Sequence, residues 1–226
     1  VEVDLQIILK QLIMKKNHVF KMIAILLAIM SLQSCAIFMG IDKEVNFKSH
    51  LDKVSVNGKE IPVITPSNVF EQADITISTN NSKTTFYVSV YNNSAKPLFL
   101  VWDKVSLIYP DGTATTVYSG EKMMKDIDKS TLSLPIPAYS RVNVNFMPSK
   151  SINWNSGSSF WGYHDAGWDF HNIIDDSSRT HHKEFLEHYQ ALIGQYFRIY
   201  LPLCDSNNNV VKEYMLFLKV SDVFLE

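Results

Sequence analysis

A chain of 226 residues with a 46% hydrophobic and 12% aromatic share can bury a proper core, which excludes disorder outside the termini. A formal net charge of -2, with no Lys/Arg cluster after the leader, argues against nucleic acid as a partner. The length suits one sandwich-type domain or two small ones.

The N-terminal stretch reads as a targeting segment. Lys15, Lys16, His18 and Lys21 form a basic patch, and Met22 to Met30 is apolar without a charge. Ser31, Gln33 and Ser34 are small or polar, which completes the order of a secretory signal. The apolar run is well short of the roughly 20 residues that span a bilayer. Leu32-Gln33-Ser34-Cys35 resembles the lipobox of bacterial lipoproteins: an aliphatic residue three before a cysteine and a small residue just before it. In that class the thiol takes a diacylglycerol, the chain is cut before the cysteine, and the new amino terminus is acylated. Stable anchoring needs more than one acyl chain, and a triacylated Cys35 would supply it. A leader of this kind would begin at Met14, so residues 1–34 are expected to be an upstream extension and signal peptide. Ala36, where the Gram-negative sorting rule would place aspartate for inner-membrane retention, implies an outer-membrane protein, expected to face the periplasm.

Residues 35–52 lack a clean period and are expected to be a lipidated tether. A domain over 53–226 is expected to follow. "KVSVNGKEIPV" holds Asn57-Gly58 between apolar residues, a strong hairpin signal. Ala73 to Thr79 alternates with Ile75 and Ile77 on one face. "KTTFYVSVYNN" places Phe86, Val88 and Val90 on one face and Tyr87, Ser89 and Tyr91 on the other. In "KPLFLVWDKVSLIYPDG", Leu98, Leu100 and Trp102 share a face, and Val105, Leu107 and Tyr109 share another after a shift at Asp103-Lys104. That shift predicts a bulge or a crossing between sheets. Pro110-Asp111-Gly112 is a turn, "TATTVYSG" the returning strand, and Ser140 to Met147 alternates with Val142, Val144 and Phe146 inward.

The C-terminal pair is "QYFRIYLPLC", with Phe197, Ile199, Leu201 and Leu203 alternating, and "VVKEYMLFLKVSDVF", joined by "DSNNN". One helix is predicted over Thr180 to Ile193, with Phe185, Leu186, Tyr189, Leu192 and Ile193 on one face. Thr180 would cap it and Gly194 would stop it. Many short strands separated by turn residues predict an all-β, immunoglobulin-like Greek-key β-sandwich with one short helical insertion, placed at residues 153–194.

The stretch "VSVYNNSAKPLFLVWDKVSLIYPDGTATTVYSG" resembles a family of uncharacterised bacterial lipoproteins. The resemblance rests on a V-x-N-x-[ST] strand end (Val90 to Ser94), the Trp102-Asp103 pair and the Asp111-Gly112 turn. It extends to the Pro135-Ile136-Pro137 stretch, the Leu201-Pro202-Leu203 strand and the aromatic last strand, Tyr214 to Phe217. It implies an immunoglobulin-like sandwich in the cell envelope and no activity, since fold alone carries none.

Two candidate sites lie in the insertion. Trp154, Phe160, Trp161, Tyr163, Trp168 and Phe170 crowd a glycine- and serine-rich segment. Trp154, Trp161, Tyr163 and Trp168 are the possible ligand-binding set, since such rings stack on sugars or sit at a membrane interface. The same rings would equally plug the open end of a sandwich. On the predicted helix, His181, Glu184 and His188 would share a face and could supply three metal ligands. "HHKEFLEH" matches neither HExxH nor HxxEH, and that face is also the expected solvent face. No G-x-S-x-G elbow and no phosphate loop is present, so no catalytic residue and no cofactor is predicted. Cys204 is the thiol left once Cys35 is lipidated, and it reads as a buried structural cysteine.

The expected protein is a lipid-anchored, non-enzymatic envelope protein. Its partners would be the membrane, through Cys35, and an envelope protein. A glycan-binding module using the aromatic insertion, and a metal-dependent hydrolase using its histidines, are the alternatives.

Overall fold

The computed structural model describes residues 45–119, 133–155, 158–159, 162–163, 167–170, 173–174 and 189–225. Sixteen strands are described: β1 (Val45–Val56), β2 (Lys59–Ser67), β3 (Val69–Gln72), β4 (Ile75–Asn81), β5 (Phe86–Asn92), β6 (Leu98–Leu100), β7 (Ser106–Ile108), β8 (Ala114–Ser119), β9 (Leu134–Ile136), β10 (Ser140–Pro148), β11 (Ile152–Asn155), β12 (Ser158–Ser159), β13 (Gly162–Tyr163), β14 (Gly167–Phe170), β15 (Tyr196–Cys204) and β16 (Val210–Leu225). Twelve of them form one antiparallel sheet in the order β2-β1-β16-β15-β7-β8-β10-β5-β4-β3, with β6 joining β15 to β9. The fold is all-β. The sheet curls until its two ends, the successive strands β2 and β3, come close, so it is nearly closed. No helix of the described residues is long and apolar enough to cross a membrane.

Period-2 alternation builds the interior. Phe197, Ile199, Leu201 and Leu203 of β15 are at most 1% exposed, as are Tyr214, Leu216, Leu218 and Val220 of β16. Ile75 and Ile77, and Phe86, Val88 and Val90, face them from β4 and β5. Phe47, Phe86 and Phe197 form an aromatic cluster, with Phe47 stacked on Phe197 at 5.2 Å, and Tyr109 meets Phe197 edge-on at 5.7 Å. The β1–β2 hairpin turns through Asn57 and Gly58 at positive φ (49° and 82°), the twist that a two-residue connection requires. In such a hairpin the flanking pair Val56 and Lys59 is hydrogen-bonded and the pairs then alternate. Pro62, opposite Lys53, therefore has its missing N–H on the outer edge of β2.

The near-closure is made by side chains. β2 leaves β1 upstream of Leu51, where backbone partners on that edge run out. Asn81 takes their place: its amide donates to the Phe47 carbonyl at 2.9 Å, and its oxygen accepts from the Ser49 N–H at 3.1 Å and the Ser49 hydroxyl at 2.8 Å. Asn68 accepts from the Leu51 N–H at 3.3 Å. Lys212 of β16 pairs with Asp74 in the β3–β4 turn.

Several expectations change. The strand begins at Val45, inside the stretch expected as tether, because Val45 and Phe47 are buried at 4%. The register shift at Leu51/Lys53, with Asp52 as the extra residue, breaks its alternation and hides it from a periodicity reading, whereas the shift at Lys48/Ser49 places its extra residue, Ser221, in β16. The break at Asp103-Lys104 is a 3-10 turn over Trp102–Lys104. Trp102 therefore sits in that turn, buried, with its ring edge-on to Phe146 at 5.5 Å. The segment expected to be a glycine- and serine-rich loop contains two antiparallel pairs, β11–β14 and β12–β13. Most of the predicted helix, residues 180–188, lies outside the described residues, and Phe185 with it. The described residues 189–194 form turns, in which Tyr189 is buried, Leu192 packs on the core and Gly194 has φ +86°. Ile193, expected on the inner face, is 45% exposed.

Candidate functional site

The outer face of β1, β16 and β15 carries a cluster of aromatic, basic and hydroxyl side chains. Alternation that sends Phe197, Ile199 and Leu201 inward sends Tyr196, Arg198 and Tyr200 outward. On β16, Met215, Phe217 and Lys219 point the same way. Register brings them together: Arg198 lies opposite Phe217, Tyr200 opposite Met215, and Lys53 of β1 opposite Phe217 on its other side. All are half-buried.

Their mutual contacts fix them. The Tyr196 and Phe217 rings meet edge-on at 6.2 Å and 85°. The Lys53 ammonium stands 4.6 Å from the Phe217 ring centre and pairs with Glu60 at 2.8 Å. The Tyr196 hydroxyl donates to Asp52 at 2.9 Å, and the Tyr200 hydroxyl donates to Glu213 at 2.9 Å. These arrangements keep both phenols protonated. The bond to Asp52 is the main reason that the Tyr196 pKa lies above its ordinary value, and partial burial, then the bond to Glu213, raises that of Tyr200. The patch thus offers fixed rings, a guanidinium, a thioether and neutral hydroxyls. Tyr, Phe, Met and Arg are the residue types enriched at protein interfaces in general.

A second surface feature is the groove between β2 and β3, about 380 Å³, lined by Ile61, Pro62, Val63, Ile64, Val69 and Phe70 among others. Ile64 is 92% exposed there.

The sites expected from sequence fall as follows. Trp154, Tyr163 and Trp168 lie in β11, β13 and β14, and Trp154 is the ladder partner of Trp168. Trp161, His181, Glu184 and His188 lie outside the described residues, as does Cys35. Among the described residues no group of three or more His, Cys, Asp or Glu side chains is placed to hold a metal ion. Cys204 is buried. Desolvation raises its pKa, although the Lys104 ammonium 4.0 Å from its sulfur pulls the other way. The V-x-N-x-[ST] stretch has a structural task. The Asn92 amide, fully buried, donates to the carbonyls of Lys96, Ile136 and Pro137, and its oxygen accepts from the Ser94 N–H and hydroxyl. It fastens the end of β5 to β9.

The outer patch was missed because a periodicity reading follows the apolar phase of each strand. Its signal was the other phase: Tyr196, Arg198, Tyr200 and Phe217 stand where short polar residues would be enough. Comparison with protein-family models, with curated proteins and with solved structures gives no match.

Proposed function

We propose that this is a lipid-anchored, non-enzymatic protein of a bacterial cell envelope whose domain binds a protein partner through the outer face of β15 and β16. The observation that carries the binding is the fixed Tyr196–Arg198–Tyr200–Phe217 patch. The anchor rests on the Leu32 to Cys35 motif. Residue Ala36 supports the outer membrane, with the domain facing the periplasm. The resemblance to bacterial lipoproteins and an immunoglobulin-like Greek-key sandwich belong to the same reading. Interleaving of distant strands, β1 beside β16 and β10 between β8 and β5, supports that topology.

The test uses intact cells producing the full chain. Cys35→Ser is expected to abolish incorporation of a fatty-acid probe. A variant that stays labelled and membrane-bound overturns the anchor. Crosslinking is expected to capture a discrete partner that Phe217→Ala and Arg198→Ala both lose while the circular dichroism spectrum is kept. Capture that is unchanged in both variants overturns the assignment of the patch.

A further inference from the structure

We propose that the outer face of β4, β5 and β10 binds a neutral polysaccharide, stacked along the tyrosines of β5. This depends neither on the Cys35 anchor nor on the β15–β16 patch, from which β7 and β8 separate the face.

Alternation builds the face. Phe86, Val88 and Val90 are buried, so Tyr87, Ser89 and Tyr91 stand on the other side of β5. Tyr87 and Tyr91 are four residues apart, about 13 Å along the strand. Register sets polar side chains on both sides of this row. On β10, Asn145 lies opposite Tyr87 and Arg141 opposite Tyr91; on β4, Asn80 and Thr76 take those places. Ser89 has Asn143 and Ser78 as its partners. Tyr87 is 41% exposed, and the Arg141 guanidinium stands over the Tyr91 ring at 5.7 Å.

Composition decides what such a face fits. Among the described residues facing out from β4, β5 and β10, Arg141 alone is charged, and Glu71 of β3, opposite Thr76, is the next charge in that row. None of these outward positions holds Leu, Ile, Val or Phe. A protein interface gathers an apolar centre inside a polar rim, and an anionic polymer calls for a basic stripe. This face has neither. It sets aromatic rings in file between amides and hydroxyls, groups that donate and accept at once. Asn80 gives its oxygen to the Asn81 N–H at 2.9 Å and keeps its NH2 group to donate. A sugar ring has the matching chemistry: an apolar face of C–H groups that lies against an aromatic ring, and a rim of hydroxyls that both donate and accept.

Tyr139 points to a ligand independently. It holds the turn before β10 at φ +55°, a left-handed conformation in which Cβ crowds the following carbonyl oxygen and which glycine or asparagine ordinarily fills. Its side chain is 65% exposed, so little packing offsets that strain. Strain of this kind collects where a ligand is held. Tyr139 stands two residues before Arg141, at the Tyr91 end of the row, and adds a third aromatic position to it.

The experiment runs the full chain, in mild detergent, through native gels containing glycogen, dextran, mannan or hydroxyethylcellulose, and reads retardation as a dissociation constant. At least one of these neutral polymers is expected to retard the chain. Tyr87→Ala with Tyr91→Ala is expected to weaken retention about tenfold or more while the circular dichroism spectrum is kept. Tyr87→Phe with Tyr91→Phe keeps the rings and is expected to keep most of the retention. Tyr139→Gly is expected to weaken retention and to raise the melting temperature, which separates a ligand contact from a structural one. Absence of retardation in every neutral polymer overturns the proposal. Retention that survives the alanine pair and is lost in Trp154→Ala with Trp168→Ala overturns it in favour of the insertion. Retardation by alginate alone, abolished by salt, overturns it in favour of an anionic ligand. A crosslinked protein lost in the alanine pair, with no retardation by any polymer, overturns it in favour of a protein partner.

Discussion

β15 and β16 present two chemistries on opposite faces of one pair of strands. Inward, Phe197, Ile199, Leu201 and Leu203 meet Tyr214, Leu216, Leu218 and Val220, none more than 1% exposed. Outward, Tyr196, Arg198, Tyr200, Met215 and Phe217 form a half-buried layer tied by ring contacts and by hydrogen bonds to Asp52 and Glu213. The inner layer removes apolar area from water on every side, which is what stabilises the fold. Side chains of the outer layer keep one side in solvent, so their aromatic area is still available to a partner. Buried and solvent-facing side chains are thus separated by one residue step along the same strand.

The sharpest way to break this comparison is to substitute one residue on each side. Phe197→Ala empties a site that touches Phe47, Phe86 and Tyr109. A loss of about 3–5 kcal/mol is expected in urea unfolding, a large part of the 5–15 kcal/mol typical of a domain. Trp102→Ala falls in the same class, because its ring is 7% exposed against Phe146. A loss below about 1 kcal/mol at either position would mean that the inner layer is not the source of stability.

Next in size is Asn81→Ala. It removes no core volume but leaves the Phe47 carbonyl and the Ser49 N–H without their partner. The expected cost is about 1–3 kcal/mol, with faster hydrogen exchange confined to the first half of β1. Uniformly faster exchange would show that Asn81 acts on the whole sheet instead of on its seam.

Phe217→Ala sharpens the comparison from the other side. It should cost about 1 kcal/mol of stability or less, yet weaken partner capture by tenfold or more, as truncation of a central aromatic at an interface does. The reverse pattern, a large loss of stability with capture retained, would place Phe217 with the core.

The smallest effect belongs to Tyr214. Its hydroxyl is buried with no hydrogen-bond partner among the described residues, and burial, aided by the nearby Asp74 charge, raises its pKa far above that of a free phenol. A raised folded-state value means that the unfolded chain ionises first as pH climbs past about 10. Stability is therefore fully present below pH 10 and falls above it. Tyr109, Tyr196 and Tyr200, all shifted upward, add to the same slope. Tyr214→Phe removes the orphan hydroxyl at little cost at pH 7, within about 1 kcal/mol, and should flatten the alkaline fall in melting temperature. An unchanged slope would assign the fall to the other tyrosines.

Sequence periodicity located most of the sheet. β4, β5 and β10 alternate without interruption, β15 does so from Tyr196 to Leu201 and β16 from Glu213 to Val220, and the Asn57-Gly58 and Asp111-Gly112 turns carry their own torsional signature. It failed where geometry breaks the period. The bulge at Asp52 in β1 resets its phase and made a core strand look like a tether. At Trp102 the apolar alternation runs on into a 3-10 turn, because a buried turn and a buried strand ask for the same side chains. β12 and β13 were hidden by serine and glycine, which weaken strand propensity while register still pairs the backbone. The outer patch was written in the sequence but in the phase assumed to be solvent.

Pro62 bears on how copies of this protein coexist. A sheet that stops short of full closure leaves β2 with an open row of backbone groups, and a row of that kind is a template on which a neighbouring chain can add a strand. With no N–H to offer at the outward-facing position opposite Lys53, the edge lacks a rung that an added strand would need. One imino acid in an exposed strand thus acts as a safeguard against edge-to-edge aggregation.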